Sequence, residues 1–140
     1  MIEIYTDGSC KPNPGPGGWA ARIIDYKEIW EIAGFDPDTT NNRMELTAII
    51  KALSYIRTIL PITVYTDSLY VLNPIQLGWL WRWEENKWRH IINADLWHEL
   101  LDIIKRNCIM FEKVIAHSGN IHNEWADKMA KLQIEQEKGC

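Results

Sequence analysis

"IYTDGS" at residues 4–9 and "VYTDSL" at residues 64–69 share the tripeptide Tyr-Thr-Asp, sixty residues apart. Each copy ends a short apolar run, the pattern of a buried strand. Each therefore puts a carboxylate, Asp7 or Asp67, where a strand leaves its sheet. Between the copies, Arg43, Thr47, Lys51, Ser54 and Thr58 recur at spacings of four and three, which predicts a helix over 43–60 stopped by Pro61. A strand–helix–strand crossover is right-handed and leaves its strands parallel. If strands 2–7 and 62–67 are neighbours, they lie roughly 5 Å apart and the two aspartates stand side by side.

The remaining segments fit around that unit. "GSCKPNPGPGG" reads as a Gly/Pro-rich loop, too long for a tight turn. "WAARIIDY" and "EIWEIAGF" read as two strands of a hairpin, and "DPDTTNN" as a turn cluster with Asp38 or a nearby Thr as helix cap. Ser68 onward reads as helix up to Pro74, and the Trp-rich segment 78–90 as a second short helix. Asn93 is an N-cap candidate before "ADLWHELLDIIKR", a clear amphipathic helix. "CIMFEKVIA" is a strand, "HSGNIHN" a loop, and residues 124–137 a final helix. Three strands followed by strand–helix alternation imply an α/β fold with a mixed sheet. Asn13-Pro14 and Asn73-Pro74 share the sixty-residue offset, but one copy opens into a loop and the other into a helix. The two copies therefore read as local convergence, not duplication.

Length and composition set the outer limits. The 140 residues suit one domain, 1–140, and 46% hydrophobic with 24% charged residues suits a packed globular fold. No signal peptide and no bilayer-length apolar run is visible, so the expectation is a cytosolic, monomeric protein with no membrane partner. Cys10, Cys108 and Cys140 are odd in number and widely spaced, which fits reduced thiols. A net charge of −4 argues against a bulk-charge nucleic-acid binder, so any such affinity rests on a local patch or on metal ions.

Each acidic candidate has a plain structural reading beside the functional one. Asp67 before Ser68 suits a helix cap. Glu45, near a helix start, suits the helix dipole. Yet Glu45 shares the face of Ile49, Ala52 and Ile56, which the dipole does not explain. Asp127 shares a face with Asn123, Ala130 and Ile134, and alone reads as part of a solvated helix surface. Together the four say more. Adjacent carboxylates repel unless a cation compensates. An oxygen-only ligand set points to Mg²⁺ or Mn²⁺, and two such ions suit phosphoryl chemistry.

Six stretches, "YTDGSC", "NPGPGGW", "TTNNRMEL", "VYTDS", "NADLW" and "AHSGNIHNEWAD", run in order along nearly the whole chain, and in them the sequence resembles type 1 ribonuclease H. The resemblance implies a ribonuclease H-like fold. Its sheet is five-stranded and mixed, with strands 1–3 antiparallel, strands 1, 4 and 5 parallel, and helices on both faces. It implies Mg²⁺-dependent endonucleolytic hydrolysis of the RNA strand of RNA–DNA hybrids, leaving 5′-phosphate and 3′-hydroxyl ends. The family's catalytic, metal-binding carboxylates fall on Asp7, Glu45, Asp67 and Asp127, and its loop histidine, tied to proton handling or product release, on His117. Asn13, Asn41 and Asn42 match positions that read the hybrid's minor groove, with Cys10 in the same loop. Thr40 and Asn93 match a pocket for a DNA-strand phosphate. Trp79 and Trp83 lie where the family carries its basic handle.

Three departures stand out. Leu69 replaces a Gln common after "TDS", the handle segment is short and weakly charged, and Asn120-Ile121 replaces a His-Pro. Hybrid affinity is then expected to lean on aromatic contact, with some handle tryptophans in the core. Two rivals stay open: a non-catalytic hybrid-binding module, and a related metal nuclease acting on another nucleic acid.

Overall fold

In the computed structural model, residues 1–114 and 119–138 are described. Strands β1 (Ile2–Cys10), β2 (Gly15–Asp25), β3 (Glu28–Thr39), β4 (Ile62–Thr66) and β5 (Ile109–Lys113) form one sheet in the order β3-β2-β1-β4-β5. Strands β1–β3 pair antiparallel, while β4 pairs parallel with β1 and with β5. Helices α1 (Asn41–Tyr55), α2 (Leu69–Gln76), α3 (Trp79–Glu85), α4 (Ala94–Arg106) and α5 (Ile121–Lys138) complete the fold. This is the α/β, five-stranded mixed arrangement expected.

Two glycines show how the layers close. A β-carbon on Gly8 would meet the backbone of Met44 and Glu45 at 2.4 Å, so α1 lies directly on β1 there. A β-carbon on Gly18 would meet the Ala130 carbonyl of α5 at 2.2 Å. Gly18 is in register with Ser9, the neighbour of Gly8, so the two glycines point to opposite faces. Helices α1 and α5 thus cover the two sides of β1 and β2. Ile4, Ile23, Val64, Leu46 and Ile49 fill the α1 side of the core, and Trp97, Leu100 and Leu101 of α4 seal it from outside.

Several boundaries differ from expectation, each for a local reason. The Gly/Pro stretch is mostly strand: Cys10 pairs with Gly17 in the ladder, and only residues 11–14 turn. "DPDT" lies in β3, an edge strand, where a proline breaks no shared ladder. Thr40 caps α1, its Oγ1 accepting the Arg43 N–H at 3.2 Å. The same helix stops at Tyr55, five residues early. The β-branched Ile56, Thr58 and Ile59 favour extended backbone, and Pro61 disfavours helix before it. Helix α2 continues through Pro74 to Gln76. Helix α5 begins three residues before Glu124 because Asn120 Oδ1 accepts the N–H groups of His122 and Asn123, each at 3.0 Å. Asn93 is not a side-chain cap. Only its carbonyl serves α4, accepting the Trp97 N–H at 3.0 Å. No described helix is long and apolar enough to cross a membrane.

Candidate active site

The β1–β4 register pairs Ile2 with Ile62 and Tyr5 with Tyr65, the same sixty-residue offset that relates the two Tyr-Thr-Asp copies. The copies therefore lie side by side. Tyr5 and Tyr65 stack at 4.7 Å between ring centroids, with 10° between their planes. Two residues further on, only Asp67 stands at a strand exit, just past the end of β4; Asp7, expected to end its strand, lies within β1, which runs on to Cys10 because it keeps pairing with β2.

Glu45 joins them from the first turn and a half of α1. Oxygen atoms of Asp7, Glu45 and Asp67 lie within 4.8 Å of one another. Asp7 and Glu45 are only 7% and 6% exposed, which is rare for carboxylates without a partner. The Gly8 N–H serves both: it donates to Asp7 Oδ1 at 2.9 Å and to Glu45 Oε1. The missing β-carbon of Gly8 is what lets Glu45 come that close. Ser68 adds a further hydrogen bond to Glu45, while its Oγ also accepts the Val71 N–H that starts α2. Asp127 of α5 lies within hydrogen-bond reach of Asp7 and shares a cleft of about 540 Å³ with Asp67. Its Oδ2 also accepts from Lys131 Nζ, one turn on, at 3.2 Å.

The electrostatics of this cluster are unbalanced. Burial, followed by the charges of Glu45 and Asp67, pushes the Asp7 carboxyl far above the usual range. Burial also raises Glu45, with Asp67 adding to it, while hydrogen bonds from Asp7, Gly8 and Ser68 pull it partly back. Without a cation, burial and mutual repulsion therefore favour a proton shared within the Asp7–Glu45 pair. A divalent ion removes the reason for that proton, and hard oxygen ligands at this spacing suit one.

The other expected residues fall into two groups. Asn13 Oδ1 accepts the Asn41 N–H at 3.1 Å, which ties the β1–β2 turn to the start of α1 beside exposed Asn42. Cys10 is buried, its Sγ 3.3–3.4 Å from the carbonyls of Pro12, Gly15 and Thr39, so the thiol holds that turn together. Thr40 and Asn93 are linked through Arg43. Its backbone N–H goes to Thr40 Oγ1, and its Nη1 donates to Asn93 Oδ1 at 3.1 Å. Arg43 also grips Asp95 through two bonds of 2.8–3.0 Å, and Asn93 Nδ2 donates to the Tyr70 hydroxyl at 2.9 Å.

Trp79 and Trp83 are half-buried. Trp83 packs edge-on against buried Trp97 at 5.6 Å and Trp79 leans on Trp83 at 6.5 Å, whereas Trp81 is 40% exposed. His117 lies outside the described residues. Gly8, Ser68 and Arg43 were not singled out in the sequence. The glycine after the first Asp and the serine after the second were available signals, since each places a donor beside its aspartate.

The ribonuclease H (RNase H) family profile matches residues 1–135. Ribonuclease H of Caldicellulosiruptor saccharolyticus is 45% identical over 141 residues, covering 96% of this chain and 97% of that one. Ribonuclease H of Syntrophomonas wolfei is 46% identical over 140 residues, with 96% of each chain covered. The crystal structure of LC9-RNase H1, a type 1 enzyme with the type 2 active-site motif, superposes with a TM-score of 0.82 at 25% identity, over 96% of this chain and 72% of that one. LC11-RNase H1, solved in complex with an RNA/DNA hybrid, has the same fold, with a TM-score of 0.79 at 21% identity over 99% of each chain. This chain belongs to the ribonuclease H family, a family of nucleases.

Proposed function

We propose that residues 1–140 act as one endonuclease unit that hydrolyses the RNA strand of RNA–DNA hybrids, leaving 5′-phosphate and 3′-hydroxyl ends. The observation that carries this reading is the trio Asp7, Glu45 and Asp67, the first two buried and the third half-buried, whose oxygens lie within 4.8 Å and repel one another unless a cation joins them. Structural burial alone disfavours three clustered negatives, so the cluster is built for a cationic ligand. Two Mg²⁺ ions, or Mn²⁺ in their place, would supply an activated water and stabilise the leaving oxygen.

The chain's own residues do the rest. Asp7, Glu45, Asp67 and Asp127 hold the ions from three elements and a strand exit. The Gly8 N–H fixes the orientation of two of those carboxylates before substrate arrives. Asn13, Asn41 and Asn42 present carboxamides that both donate and accept, which suits 2′-hydroxyls and base edges in a minor groove. Cys10 supports them by bracing the turn. Thr40 and Asn93, bonded to the backbone and the guanidinium of Arg43, offer a pocket for a DNA-strand phosphate, with Asp95 holding that guanidinium in place. Trp79 and Trp83 shape the handle from its packed side. His117 handles a proton or product release. The reduced cysteines fit a cytosolic enzyme, and it works as a monomer.

One gel tests the reading. Labelled hybrid, double-stranded RNA and double-stranded DNA are each incubated with Mg²⁺, Mn²⁺ or chelator. The expected outcome is hybrid cleavage in either metal and none in chelator. Binding without cleavage in both metals would identify a hybrid-binding module instead. Strong cleavage of all-DNA duplex would identify a different nuclease.

A further inference from the structure

Beside the carboxylates, Arg22 of β2 has its charge committed in three directions. It is the one cation in the otherwise apolar run 19–24. Its Nε donates to Glu31 Oε2 of β3 at 2.8 Å. Its Nη1 lies 3.0 Å from His122 Nδ1, and its guanidinium carbon lies 4.5 Å from the ring centre of Trp125. The side chain is 15% exposed. An arginine can only donate, so His122 Nδ1 must accept, and the imidazole is neutral with its proton on Nε2. The His122 ring also packs on Tyr5 at 4.9 Å, in the layer directly beneath Asp7. His122 and Trp125 belong to the first two turns of α5, the turns that carry Asp127.

We propose that Arg22 is a positioning residue: it clamps the start of α5 to the sheet through His122 and Trp125, and so sets where Asp127 stands relative to Asp7 and Asp67. The inference rests on the reading of Asp127 as a metal ligand. A planar donor fork that stacks as well as bonds is needed, so lysine replaces it poorly. Of the two carboxylates that helices deliver, Asp127 is the more exposed, and the Arg22 clamp grips α5 through Trp125, two residues before it. Outer-shell partners of metal ligands are worth roughly 10–100-fold in affinity or activity, and the clamp acts at the lower end of that range.

The test uses Arg22→Met and Arg22→Lys, each alone and combined with Asp127→Asn. Amide hydrogen exchange and the Mg²⁺ dependence of single-turnover hybrid cleavage are both read. Arg22→Met should speed exchange in residues 122–128 while leaving α4 unchanged. It should also raise the Mg²⁺ needed for half-maximal cleavage about tenfold, with Arg22→Lys only partly restoring it. In the Asp127→Asn background the Arg22 change should add nothing. Unchanged exchange at 122–128 overturns the clamp. An equal Mg²⁺ shift in the Asp127→Asn background overturns its action through Asp127. Wild-type cleavage by Asp127→Asn alone removes Asp127 from the proposed function, and the transmitted effect with it, while the exchange result still judges the clamp separately.

Discussion

The tyrosine pair and the aspartate pair sit two residues apart in the two Tyr-Thr-Asp segments, the first inside the β1–β4 ladder and the second beyond its last pair, with opposite chemistry. Tyr5 and Tyr65 meet face to face, and each buries apolar ring against the other. Asp7 and Asp67 bring carboxyls together instead, and Glu45 of α1 joins them within 4.8 Å. The first pair stabilises the sheet. The second works against it until a cation arrives. One parallel pairing thus yields a stable layer and a reactive layer within two residues, and the stable layer sets the spacing of the reactive one.

Changes that strike the aspartate layer should cost function far more than stability. Asp67→Asn removes one ligand, and even outer-shell partners of metal ligands are worth roughly 10–100-fold. Its single-turnover cleavage rate in Mg²⁺ should therefore fall by at least about a hundredfold, with the melting temperature in chelator unchanged or raised. A drop of less than tenfold would separate Asp67 from the site. Gly8→Ala strikes both layers at once. Its β-carbon meets α1 backbone, so overpacking should cost about 1–3 kcal/mol by denaturant titration and also displace Glu45, lowering cleavage. A variant with wild-type stability and rate would show that α1 does not need that approach.

Titration sharpens the contrast further. Asp7 and Glu45 are raised in the folded protein, so above the ordinary carboxylate range the folded state binds more protons than the unfolded one. Stability of the metal-free protein should then decrease as pH rises from about 5 to 8, and saturating Mg²⁺ should remove most of that slope. Metal affinity should increase over the same range, because binding releases the shared proton. A metal-free stability that rises with pH over this window would contradict the shared proton. Tyr5→Phe is the mildest change. It loses a hydroxyl bonded to Asn120 and should cost about 1 kcal/mol, with Mg²⁺-dependent cleavage within a factor of two or so of wild type.

The same contrast explains what could be read from residues alone. The repeated Tyr-Thr-Asp, the crossover helix and the placement of Glu45 on a buried face were legible, because burial follows periodicity; the strand exit was right for Asp67 and wrong for Asp7, whose strand runs on to Cys10. Asp127 was not legible in the same way: its Asn123, Ala130 and Ile134 face alone read as solvated helix surface, and only the resemblance pointed to the site. The resemblance in six motifs then supplied the roles. The stacking of Tyr5 on Tyr65 was not legible as such, since only pairing register brings the rings together. The strand character of Gly15-Pro16-Gly17 was hidden by loop-like composition, which tertiary pairing overrides. Asn93 was read as a side-chain cap because its local sequence suits one. Instead its amide is drawn to Arg43 and Tyr70, which lie fifty and twenty-three residues away. Arg22 carried only a weak signal, a charge in an apolar strand, and its three partners come from two other elements.

The central claim is that the charge placed by the first Tyr-Thr-Asp is there for a metal and not for the fold. Asp7→Asn tests it most directly, with hybrid cleavage in Mg²⁺ and thermal stability in chelator measured on the same preparation. The account predicts that cleavage is abolished while the melting temperature stays equal or rises, because a neutral amide replaces a buried carboxyl whose ionisation the fold disfavours. Wild-type turnover, or loss of cleavage only through unfolding, would contradict it.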